Sequence, residues 1–89
     1  MLPRYKSVEE VMNATAELRD ELALRGARES AQRLTEALEC FYTTASEALG
    51  EIREALESTR ASWGEHLSSR YQALGDHAIT EATRLLRMG

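Results

Sequence analysis

The apolar pattern begins at Val8. From there Val8, Val11, Thr15, Leu18 and Leu22 recur at alternating spacings of three and four, with Met12 beside them, which places them on one helix face. Ser7-Val8-Glu9-Glu10 has the form of a capping box: the Ser7 hydroxyl accepts from the Glu10 amide while the Glu10 side chain reaches back. Glu9 and Glu10 also oppose the positive end of the helix dipole. Arg25 suits a last turn, and Gly26 suits the left-handed residue that follows one. The pattern predicts a helix over 8–25.

A second stripe runs Ala31, Leu34, Leu38, Phe41, Ala45, Ala48, Ile52, Ala55, Thr59 in the same alternation, widened on one side by Leu49 and Leu56. Sustained register of this kind predicts one helix over 28–62, about 50 Å long. Gly50 costs a helix interior about 1 kcal/mol, but it falls on the outer face and the register passes through it. A break there is the alternative, and it gives a compact monomeric four-helix bundle. After Trp63-Gly64, the residues Leu67, Tyr71, Leu74, Ala78, Ala82 and Leu85 predict a third helix over 65–87, with Gly75-Asp76 as a second point of interruption.

These lengths predict an all-α fold in a single domain spanning 1–89. A long central helix is flanked by two antiparallel helices, each covering half of it. Such a layer leaves one side of the central seam bare. A homodimer that pairs this helix with its mate supplies the cover most simply. The expected interface is Phe41, Tyr42, Leu49, Ile52, Leu56 and Trp63.

Composition supports this picture and narrows the function. Of the 89 residues, 43% are apolar and 29% charged, too hydrophobic for disorder, and Ala, Leu, Glu and Arg dominate, all helix formers. The formal charge of −4 disfavours nonspecific nucleic-acid binding and favours basic partners over acidic ones. Arginine outnumbers lysine ten to one, which suggests a GC-rich, bacterial genome. One cysteine excludes an internal disulfide, and with no apolar leader and no run of about 20 apolar residues the expectation is a cytoplasmic protein without a membrane partner.

Candidate chemistry is thin. Cys40 has no histidine near it in sequence, and Glu39 disfavours a thiolate, so it reads as a shoulder of the buried stripe. Phe41 reads as a core knob, Tyr42 as a rim residue and Trp63 as the plug of a bundle end. His66 and His77 share a helix face with Arg70, Glu81 and Arg84, but there is no Glu-x-x-His pair, and a solvated polar face explains them. Glu36, Glu39, Glu47, Glu51, Glu54 and Glu57 read as an exposed acidic face. Arg25, Arg28 and Arg33 form a modest positive patch. No cofactor or metal is expected, and no catalytic constellation is present.

Trp63-Gly64 resembles the Trp-x-Gly turn of the ESAT-6-like family of small secreted helical hairpins. Here no residue separates the pair, and Tyr71 is followed by Gly75 where that family carries an acid, with Asp76 one place beyond. The likeness rests on this dipeptide and implies a secreted helical partner as an alternative. A small ligand- or metal-binding bundle is another. The leading expectation is a non-enzymatic interaction protein, an adaptor, regulator or assembly subunit, acting through helix-face contacts.

Overall fold

The computed structural model describes residues 2–88. It is all-helical among those residues, with α1 at Val8–Leu24, α2 at Arg28–Glu39, α3 at Ala45–His66 and α4 at Ser69–Met88. The expected three-helix layout is therefore corrected. The central helix over 28–62 is two helices, the chain breaks at 40–44, and the last helix starts at Ser69 and not at 65. Helix α3 runs through both Gly50 and Gly64, and α4 runs through Gly75-Asp76.

The physical cause of the break lies in five consecutive residues. Cys40, Phe41, Tyr42, Thr43 and Thr44 are all mediocre helix formers, and Thr44-Ala45-Ser46-Glu47 is itself a capping sequence. Thr44 adopts an extended backbone (φ −135°), and its hydroxyl accepts from the Glu47 amide at 3.1 Å, starting α3. On the other side Cys40 is extended, and the Tyr42 hydroxyl donates to the Ala37 carbonyl at 2.7 Å, closing the end of α2. Two caps four residues apart outweigh the uninterrupted stripe.

Helix α1 ends as the sequence suggests. Gly26 sits at φ +87°, the Gly26 amide donates to Ala23 O (3.2 Å) and the Ala27 amide to Leu22 O (2.9 Å), the two bonds of a Schellman turn. Its start differs in detail: Ser7 makes no side-chain cap, and the Glu10 carboxylate accepts from the Lys6 amide instead.

Helix α1 packs against α2 and α4 and also meets α3; α3 packs on α2 and α4, whereas α2 and α4 do not meet. The body measures 35 × 30 × 17 Å. Its core joins Val11, Leu18 and Leu22 of α1, Leu34 of α2, Ile52, Leu56 and Trp63 of α3, and Ala78 and Ala82 of α4. Folding α2 back on α3 covers the side of the seam that otherwise calls for a second copy. The Trp63 ring lies directly on the Gly75 backbone: a Cβ at Gly75 would stand 2.5 Å from the indole Cη2 and Cζ3. The indole N–H donates to Thr59 Oγ1 at 3.2 Å.

Candidate functional site

The break places Phe41 at the surface, where it is 89% exposed. This corrects the expectation of a core knob: the stripe identifies a buried face only while the helix continues, and α2 has already ended. Leu49, Ile52, Leu56 and Trp63 go the other way, all at 4% exposure or less inside the chain's own core. Of the expected interface, Phe41 and Tyr42 alone stand where a partner can reach them. Cys40 is likewise exposed, a free thiol at the end of α2.

The corner is shaped as well as apolar. Val8 and Met12 of α1, residues 40–44 and Ala45 and Ala48 of α3 line an open groove of about 390 Å³. Its walls are the caps described above, so Phe41 projects from a segment held by hydrogen bonds on both sides. Burial, reinforced by Cys40 and Glu51, holds the Tyr42 hydroxyl above its ordinary pKa, and Arg33 opposes the shift. Tyr42 therefore remains a neutral donor to Ala37.

A second cluster joins the N-terminal segment to α4. Glu81 is only 4% exposed. Its carboxylate accepts from the Tyr5 amide (2.6 Å) and from Arg84 Nη2 (2.9 Å), and Arg84 also donates to the Tyr5 carbonyl. His77 Nε2 is 2.6 Å from the Pro3 carbonyl, and the His77 ring meets the Tyr5 ring edge-on at 5.0 Å. Leu2 lies beside Glu17 of α1 and Tyr71 and Leu74 of α4. Residues 2–6 thus form a strap along the α1–α4 seam, with Glu81 as its clamp. The Arg84 hydrogen bond, aided by the Tyr5 amide, holds the Glu81 carboxyl below the usual range despite its burial. Both its oxygens are engaged by groups of the chain, so the arrangement is that of a fastening. The sequence pattern puts Glu81 on a solvated polar face, and its burial corrects that expectation. Its pairing with Arg84 is local, but nothing local marks its burial, because the Tyr5 amide that it accepts from lies 76 residues away.

The remaining candidates do not converge. His66 ends α3, on a different helix from His77, beside Ser30, Ser62 and the start of α2. Arg25 turns to Glu21 (3.0 Å), Arg28 lines a shallow groove between α1 and α2, and Arg33 acts on Tyr42. Trp63-Gly64 lies inside α3 and not in a turn. Among the described residues no three His, Cys, Asp or Glu side chains are placed to hold a metal ion, and no helix is long and apolar enough to cross a membrane. Comparison with family models, curated proteins and solved structures finds no match to this chain.

Proposed function

We propose that this protein is a small non-enzymatic interaction protein, an adaptor, regulator or assembly subunit, that engages a partner through the α2–α3 corner. The observation that carries the reading is Phe41, 89% exposed on a segment capped at both ends. A large aromatic ring in water forgoes about 2 kcal/mol of burial, and a preorganised aromatic anchor is what interfaces use. The lone exposed thiol of Cys40 fits work in a reducing, cytoplasmic setting.

Self-association is a second reading of the same surface. Phe41 and the groove lie side by side, so a two-fold axis can exchange the rings between two copies and close the assembly. A photo-crosslinking residue introduced at position 41 in cells that make the protein tests the shared claim. A discrete adduct is expected there and not from a control at exposed Glu29. The same diffuse pattern at both positions would sink the reading.

A further inference from the structure

We infer that the occupant of the Phe41 groove is a cationic segment of another protein, with Lys or Arg flanking one apolar anchor. This rests on the interaction reading above and names its partner. The floor of the groove, Val8, Met12 and Ala48, supplies the apolar contact, and Phe41 and Tyr42 supply the aromatic wall.

The charge around it is mainly acidic, with Arg33, which acts on Tyr42, as the exception. Residues 34–52 contain Glu36, Glu39, Glu47 and Glu51 and no Lys or Arg. All four are exposed, as is Glu9 beside Val8, and among the described residues none of the five is ion-paired within 4.0 Å. Glu47 belongs to the α3 cap, whereas Glu36 and Glu39 have no such task. They stand at the negative end of the α2 dipole, where acids are unfavourable and cations favourable, and the last turn carries no basic residue. Cys40 N donates to the Glu36 carbonyl and the Tyr42 hydroxyl to the Ala37 carbonyl, leaving those of Leu38 and Glu39 without a donor among the described residues. Ammonium or guanidinium groups satisfy these acceptors and the carboxylates together.

The same charges argue against the other occupants. A two-fold at this corner brings the acidic stretches of two copies into one neighbourhood, and like charges across an interface oppose association. Anionic lipid and nucleic acid meet the same repulsion.

Two synthetic amphipathic helices with one leucine face, one carrying lysine elsewhere and the other glutamate, test the inference against the full chain by amide chemical-shift titration, with sedimentation run alongside. The lysine peptide is expected to shift residues 8–12 and 40–48, the glutamate peptide to leave them unmoved. Phe41→Ala should weaken lysine-peptide binding about tenfold. The Glu36→Gln/Glu39→Gln pair should weaken it about three- to fivefold and flatten its salt dependence. Circular dichroism should find both variants folded, since all three side chains are exposed. Equal binding of the two peptides, or shifts confined elsewhere, overturns the inference. Micromolar self-association abolished by Phe41→Ala also overturns it, yet leaves the interaction reading standing. No binding, no self-association and no crosslink at position 41 overturn both.

Discussion

Replacing Gly75 by alanine places a methyl group against the buried indole of Trp63. In an unhindered helix interior, glycine to alanine stabilises by about 1 kcal/mol. At Gly75 the new Cβ stands 2.5 Å from Cη2 and Cζ3 and 3.1 Å from Cζ2. Carbon atoms prefer about 3.5–4.0 Å, so the ring has to withdraw by roughly 1 Å. It has little freedom to do so, being 2% exposed and tied to Thr59 Oγ1. Overpacking of this kind costs about 1–3 kcal/mol, and subtracting the propensity gain leaves a net loss near 1 kcal/mol, or about 4–8 °C in Tm. Gly50→Ala is the control, since its Cβ meets nothing within 4 Å, and it should gain about 1 kcal/mol. Urea melts followed by circular dichroism and by the fluorescence of Trp63, the sole tryptophan, measure both. A Gly75→Ala protein as stable as Gly50→Ala would refute the packing of Trp63 on α4. Combining Gly75→Ala with Trp63→Phe should be less harmful than the sum by more than about 0.5 kcal/mol, because the smaller ring vacates the clash.

Thr44→Ala removes the hydroxyl that starts α3 and should cost about 1 kcal/mol in chemical denaturation, whereas a neutral result would mean that the 40–44 break does not depend on this cap. Leu56→Ala should cost about 2–5 kcal/mol at every protein concentration, because the side chain is buried within one chain; a loss that grows on dilution would instead place Leu56 in an interface. Glu81 has a folded pKa below its unfolded one, so its contribution is present above the unfolded value near 4.5 and disappears as pH falls through the folded value. Wild type should therefore lose stability on acidification through that window, and Glu81→Gln should be weaker at pH 7 with a flatter profile there. Identical acid limbs for the two proteins would remove the Tyr5–Glu81–Arg84 fastening from the stability of the fold.

Much of this architecture is legible in the chain. The α1 stripe and Gly26 gave the first helix and its turn almost to the residue, because helical periodicity and a left-handed glycine are local properties. The buried faces of α3 and α4 were legible for the same reason: Ile52, Ala55, Leu56, Ala78 and Ala82 lie on their stripes and in the core. The α2–α3 break was written in the sequence as Thr44-x-x-Glu47, yet it competed with a stripe that ran on through Phe41. Periodicity reports which face is apolar and is silent on whether the axis continues. That one ambiguity moved Phe41 from core to surface and let α2 fold back over α3.

By itself, then, the sequence determined the helical class, the faces that are buried, and an acidic stretch without cations around Cys40-Phe41-Tyr42. Tertiary structure alone decided that α2 folds back to cover α3, that Trp63 needs the bare backbone of Gly75, and that Glu81 is buried beneath the strap. The division follows from range. Propensity, capping and amphipathic spacing act over a few residues and are written along the chain. The strap bond spans 76 positions, and which groups such a contact brings together is set only when the helices pack.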